Sequence, residues 1–430
     1  MSVALDTSLR FNPAKTSTHQ AATSLAADLI QAIQHHRGQR FTRQPTLYQQ
    51  NLTTILLNLY AASMTSGKPW VAYSRNENDP IYRQKSRYNS TGLSYRRVTA
   101  LLGSLTGLGL LETVRGFYDP TTGVSRLPRM RASQELEDFF DKYGLTPRMT
   151  CHIRETIRLK NRQKKLVEYR DTPTTNRIRT DLDRINANLV DADIRLNCSI
   201  EELHALLAQV YGRNQGEGIK DFDRTSTTLY RVFNNTMASK PRLTHGGRFY
   251  GHWVQCLLSD YREKLLLDGQ PVCELDFSGL SINMLYLREG LPMPEEDVYA
   301  VEGMAVDRGT MKGVLQRLLN AKDMKQAKQA IRDLLRDEDR ELLPRVDELM
   351  QAFLHKHVQI VRYFGTGVGL ELQRQDSHMA NLILLRLLDR GITCVPVHDS
   401  FVVQAHHRDQ LKEIMEEVSK EALGAILRIA

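Results

Sequence analysis

Two aspartates, each ending or interrupting a β-branched run, are the residues in this chain whose types and spacing could do chemistry. In CVPVHDSFVVQ (394–404) the pair His398–Asp399 lies between Val395 and Val397 on one side and Phe401, Val402 and Val403 on the other. That pattern predicts two short strands meeting at the pair. A carboxylate at such a tip is poor core filling, because a buried unpaired charge costs several kcal/mol, and a metal ion is its natural partner. Upstream, in PVCELDFSGLSINMLYL (271–287), Val272, Cys273 and Leu275 lead a second strand into Asp276. Between the two lie Arg308 and Lys312, four apart and so on one face of a helix. Such a basic pair is usually a solvated face; between two metal-binding carboxylates it would suit a triphosphate.

The elements that must position these residues follow from the rest of the chain. Its 430 residues, 41% hydrophobic, suffice for two to four domains with cores of their own. A net charge of +8 and a pI near 9.1 favour a polyanionic partner without requiring one. The five cysteines (Cys151, Cys198, Cys256, Cys273, Cys394) are scattered and never in CxxC spacing. They point to a reducing, cytoplasmic setting and imply neither a zinc site nor a disulfide framework. No apolar run approaches the ~20 residues of a membrane span, and the N-terminal stretch lacks the apolar core of a signal peptide.

Residues 1–45 read as a polar leader with one amphipathic helix, AATSLAADLIQAIQHHR, and a second helix is expected at about 47–64. From Pro80 to Leu111 there is no Asp or Glu, while Arg83, Lys85, Arg87, Arg96 and Arg97 all fall inside the window. Val98, Leu101, Leu102 and Leu105 are at helical spacing, which leaves Tyr95, Arg96, Arg97, Thr99 and Ser104 as the expected outer face of a helix at 94–106. LLETVRGFY and VSRLPRMRA flank the turn DPTTG and read as a hairpin. Helix, helix, basic helix and hairpin resemble a winged helix-turn-helix over 46–140. The resemblance implies DNA binding by Arg96 and Arg97, with Arg126, Arg129 and Arg131 on phosphates. A winged helix can equally serve as a protein-binding module.

Residues 141–235 are expected to hold a basic helical hairpin. Arg148 to Arg184 carry eleven Lys/Arg against five Asp/Glu, broken at DTPTTN, and Ile178, Leu182, Ile185 and Leu189 then follow a coiled-coil seam. A plain helical spacer fits this stretch as well as a phosphate-gripping thumb does. In the site-bearing half, 236–430, Arg248 follows two glycines in HGGRFYGHWVQ, where the backbone can approach a ligand closely. A helix at 253–266, a turn DGQP and the strand ending at Asp276 come next, and a helix carrying Gln375, Asp376, Ser377 and His378 leads into the strand before His398.

In this order the blocks of residues 240–425 resemble the palm and fingers of family A DNA polymerases and, more closely, of phage-type single-subunit RNA polymerases. ELDFSGLS resembles motif A, DRGTMK the Arg-x3-Lys start of motif B and VHDSF motif C; GGRFYG, DVYAV and QDSH resemble three supporting blocks. The resemblance implies an α+β fold: a right-hand palm with compact fingers and a helical thumb, preceded by the winged helix-turn-helix. It implies Asp276 and Asp399 as catalytic carboxylates holding two Mg2+ ions, with Mn2+ as the alternative ion and the Phe277 carbonyl as a further ligand. Arg308, Lys312 and Tyr299 would face the nucleoside triphosphate, and Arg248 the template or primer. Ser281 stands where the DNA enzymes carry a Glu that blocks a ribose 2′-hydroxyl, and His378 matches a histidine tied to 2′-hydroxyl recognition. Gln316 and Asn320 replace the aromatic positions of motif B, which puts nucleotide selection in doubt.

The expected activity is therefore DNA-templated nucleotidyl transfer, as a primase or small RNA polymerase. A deoxynucleotide-using polymerase and a non-catalytic replication initiator with a degenerate palm are the alternatives. DNA and nucleoside triphosphates are the implied partners, with a helicase among the replication proteins it would meet. A His-Asp phosphohydrolase fits less well, because that doublet belongs on a helix with other histidines nearby.

Overall fold

The computed structural model describes residues 8–65, 67–83, 86–121, 123, 125–152, 155–212, 223–235, 242–301 and 306–430. Helices and strands are mixed throughout, so the α+β class holds. The chain forms two compact units that are not consecutive in sequence: Met1–Thr156 with Leu196–Tyr230 and Gly251–Leu265, and Ile157–Arg195 with Arg231–Tyr250 and Leu266–Ala430.

In the first unit, helices α1 (Gln20–Arg37), α2 (Pro45–Ser63) and α3 (Tyr95–Gly107) share one core. Leu25, Leu29 and Ile33 of α1 pack with Leu52, Ile55, Leu56 and Leu59 of α2 and with Leu101, Leu102 and Leu105 of α3. Each such side chain contributes about 1.5–3 kcal/mol on burial. The expected leader 1–45 is therefore no separate segment, because its apolar stripe is buried with the helices that follow. Strands β1 (Leu9–Arg10), β2 (Lys15–Thr16), β3 (Val71–Ala72), β4 (Leu111–Val114), β5 (Phe117–Tyr118), β6 (Ser125–Arg126), β7 (Arg129–Ala132) and β8 (Cys151–His152) belong to the same unit, together with helix α4 (Gln134–Lys142), the helix Ile200–Gly212 and the one-turn helix Ser259–Arg262. A four-stranded sheet has the order β1-β3-β7-β4. The hairpin expected around DPTTG is present: β4 pairs antiparallel with β7 and β5 with β6. Lys85 lies outside the described residues.

The second unit holds β9 (Ile157–Lys160), helix α5 (Pro173–Asp191), β10 (Ile194–Leu196), β11 (Tyr230–Asn234), β12 (His245–Tyr250), β13 (Leu265–Leu267) and β14 (Gln270–Asp276). After these come α6 (Leu280–Arg288), α7 (Arg308–Asn320), α8 (Met324–Glu338), α9 (Val346–Lys356), α10 (Gly369–Asp389), β15 (Val395–Val397), β16 (Ser400–Gln404) and α11 (Arg408–Leu423). A five-stranded sheet of order β10-β13-β14-β16-β15 has β14 at its centre, and a three-stranded sheet has the order β12-β11-β9. Leu411, Ile414, Met415 and Val418 of α11 are fully buried, and this helix packs against β14 and β16.

Two expected helices are absent among the described residues. The basic helical hairpin has only its second arm, α5, in which Ile178, Leu182, Ile185 and Leu189 are buried as the seam required. Where the first arm was expected, β9 alternates buried Ile157 and Leu159 with Arg158 and Lys160 and pairs in parallel with β11. The helix expected at 253–266 is two short turns, a 3-10 turn at Trp253–Cys256 and one at Ser259–Arg262, followed by β13. Asp268 and Gly269 both adopt positive φ (49° and 77°), the two-residue turn that folds β13 back onto β14. No helix among the described residues is long and apolar enough to cross a membrane.

Candidate active site

Strand register brings the two aspartates together. β14 and β16 pair antiparallel with Asp276 opposite Ser400, so Asp399 is one residue from the Asp276 partner position. β15 joins β16 through the two-residue turn His398–Asp399, in which His398 takes φ 63°. Positive φ on a non-glycine residue is a local strain that short hairpins impose and that clusters at functional sites. On the other edge of β14 the backbone of Asp276 exchanges hydrogen bonds with Ala430, and the Ser278 N–H donates to the Arg428 carbonyl. Strand alternation then turns the Phe277 carbonyl to the opposite edge, the side of the His398–Asp399 turn.

The local electrostatics bear the mark of this meeting. The Asp276 carboxyl is pushed above its ordinary value, by burial first and then by the charge of Asp399, while Lys312 and Arg308 act to lower it. Tyr299 is pushed up to about 12 by burial and by Asp399. Its ring has the Arg308 guanidinium 4.8 Å and the Lys312 ammonium 5.9 Å from its centroid. Arg308 is held 2.7 Å from Asp297, an exposed ion pair at the start of α7. Behind the carboxylates, Arg248 donates to Asp376 at 2.9 Å. The pair is lopsided: burial and Asp399 raise Asp376 to about 6 even though Arg248 opposes them, because the carboxylate is 6% exposed against 21% for the guanidinium. The other Asp376 oxygen is buried without a hydrogen-bond partner. Ser400 donates to Glu274, whose charge also reaches Asp276.

Asp276, Asp399, Tyr299, Arg308, Lys312 and Arg248 thus form one neighbourhood, in which Asp376 and Glu274 are the partners that sequence alone did not assign a role. Ser281 is half-buried in the first turn of α6, behind Gly279, which enters the helix at φ 62°. His378 stands on α10, where burial and then Arg374, Arg231 and Arg177 lower its pKa. The two glycines before Arg248 serve the fold as well. A side chain on Gly247 would meet Phe233 and Ser377 at 2.7 Å, so these glycines admit β11 and α10 at close range.

Two of the five first-unit arginines expected on nucleic acid are structural. Arg97 is 9% exposed and donates to Asn51, Gln44 and the Gly92 carbonyl, which ties the start of α3 to α2. Arg129 is 3% exposed because β7 is an inner strand, paired with both β3 and β4. Helical spacing alone had set Arg97 and Ser104 outside, but the α1 and α2 helices cover that flank. Arg96 and Arg126 are exposed. Arg131 packs 4.6 Å over Trp70 and pairs with Glu112.

No family model matches the chain, and no curated protein matches it.

Proposed function

We propose that this protein is a template-directed nucleotidyltransferase of the polymerase-palm kind, acting on DNA templates with nucleoside triphosphates. The observation that carries the reading is the β14–β16 register, which sets Asp276 and Asp399 side by side under mutual repulsion. The donor set fits Mg2+ or Mn2+: two carboxylates and the Phe277 carbonyl are hard oxygen ligands on one edge. Bound there, two such ions would activate a primer hydroxyl and stabilise the leaving pyrophosphate.

The remaining work belongs to side chains of this chain. Lys312 and Arg308 hold the triphosphate from one face of α7, and Arg308 exchanges Asp297 for phosphate as it does so. Tyr299 lies beneath both cations and orients them. Arg248, fixed by Asp376, faces the primer or template strand. Ser281 leaves space for a ribose 2′-hydroxyl, which favours ribonucleotides, so Ser281→Glu is expected to depress ribonucleotide use far more than deoxynucleotide use. In the first unit, exposed Arg96 on α3 and Arg126 on the hairpin support a winged-helix reading of DNA contact.

A non-catalytic initiator remains the second reading, favoured by Gln316 and Asn320 in place of stacking aromatics. Primed and unprimed templates with labelled NTPs and dNTPs separate the two. Incorporation that is abolished by Asp276→Asn and by Asp399→Asn is expected; site-specific DNA binding with no incorporation by the intact protein would end the enzymatic reading.

A further inference from the structure

Arg231 is a buried cation that no anion among the described residues touches. In LYRVFN the alternation of β11 puts Leu229, Arg231 and Phe233 on the inward face, and Arg231 is 3% exposed. Its guanidinium is 5.2 Å from the Phe233 ring centroid and 4.8 Å from that of Phe249. Its hydrogen-bond acceptors among the described residues are neutral: the Gly247 carbonyl at 2.7 Å, the Ser377 carbonyl at 3.0 Å and hydroxyl at 3.2 Å, and the Asn381 side chain at 3.4 Å. The two carboxylates whose charge reaches it, Asp181 and Asp376, are hydrogen-bonded to Asn381 and Arg248. A buried charge without a contacting counterion is costly.

A second cation aggravates that cost. Arg374, half-buried on α10, lies 5.4 Å from the same Phe233 ring, and no carboxylate pairs with it among the described residues. Helix α5 runs beside α10 in the same sense, with Asp181 on Asn381 and Arg184 on Asp389. One turn before Asp181, the exposed Arg177 therefore comes alongside Arg374 and His378, and the two arginines repel each other. Among the anions that act on this group, Glu421 reaches His378. Arg177 on α5 and Arg374 and His378 on α10 thus share one surface above the buried Arg231, and the carboxylates within reach are engaged elsewhere.

We propose that the surface formed by Arg177 on α5 with Arg374 and His378 on α10 binds the phosphate backbone of the template–primer duplex, with Arg231 supplying fixed positive charge beneath it. This rests on the template-directed reading above and assigns a place to the duplex. Phosphates entering here discharge the like-charge cluster.

The test is the salt dependence of binding of a fluorescein-labelled primer–template DNA duplex to the full chain, by anisotropy, between about 50 and 200 mM salt. The Arg177→Gln/Arg374→Gln double variant is expected to lose about 0.9 from the log–log slope per lost contact, hence roughly two in all, with the KM for nucleotide unchanged. Arg374→Lys retains the slope, and Arg177→Gln, altering only an exposed side chain, loses about half of the effect without touching the core. An unchanged slope in the double variant, a change confined to nucleotide KM, or no duplex binding by the wild type overturns the inference. Should the slope stay constant while Asp399→Asn still abolishes incorporation, only this surface falls. A reduced slope in a protein that incorporates nothing keeps the surface and removes the polymerase.

Discussion

The second unit gathers like charges twice, with opposite signs. At the β14–β16 edge two carboxylates are pressed together, with Glu274 behind them, and Asp276 is raised by burial and by its neighbour. At the α5–α10 face three guanidiniums converge and burial lowers both Arg231, to about 9, and Arg374. The carboxylates have cations in reach, Lys312 and Arg308, yet these lie across the site; the guanidiniums have carboxylates in reach that are committed elsewhere. Each gathering places like charges together at a cost to the free protein, a cost that a ligand of opposite charge would relieve. On the proposed reading, the first gathering takes divalent cations and the second a polyanion.

The comparison breaks most visibly at the carboxylates. Asp399→Asn should lower incorporation by about a thousandfold or more, equivalent to about 4 kcal/mol. The same substitution should leave the metal-free protein no less stable, because it removes repulsion. Mg2+ at a hundredfold its Kd should stabilise the wild type by about 2.7 kcal/mol in urea unfolding and the variant hardly at all. At the basic gathering the expected sign is reversed: Arg231→Ala should cost roughly 3–4 kcal/mol, since it leaves several acceptors unpaired and a cavity between Phe233 and Phe249. Its response to Mg2+ should be intact.

Asp376 links the two regions and sharpens the contrast through pH. Its folded value of about 6 lies above the ordinary 3.8, so the stability it contributes is complete below about pH 4 and is lost as pH rises through 6. Relative to the wild type, Asp376→Asn should gain up to about 3 kcal/mol between pH 4 and 6 and no more above 7, measured by urea midpoints across that range. The smallest effect is expected at the exposed pair. Asp297→Asn frees Arg308 and should lower nucleotide KM by at most about fivefold, because a surface ion pair is worth about 1 kcal/mol or less.

Much of the site was legible because short-range patterns carry it. Alternation around His398–Asp399 and in VCELD gives the strands, and the Arg308–Lys312 spacing gives a shared helical face without reference to any other segment. The Arg97 and Arg129 expectations failed where a second element decides: α2 covers the flank of α3, and an inner-strand position hides Arg129. Residues 157–160 failed for the same reason, since their basic composition suggested a helix while pairing with β11 made them a strand. One signal for the basic gathering was available: an arginine between Leu229 and Phe233 on the inward face of an alternating strand marks a buried charge.

By itself the sequence determined the candidate carboxylates and basic pair and which local elements carry them, because periodicity and turn chemistry act over a few residues. Only the tertiary structure decided that Asp276 meets Asp399, that Asp376 fixes Arg248 and that Arg177, Arg231 and Arg374 converge. Those are pairings between distant segments, set by sheet register and helix packing, and no local pattern encodes the partner of a buried charge.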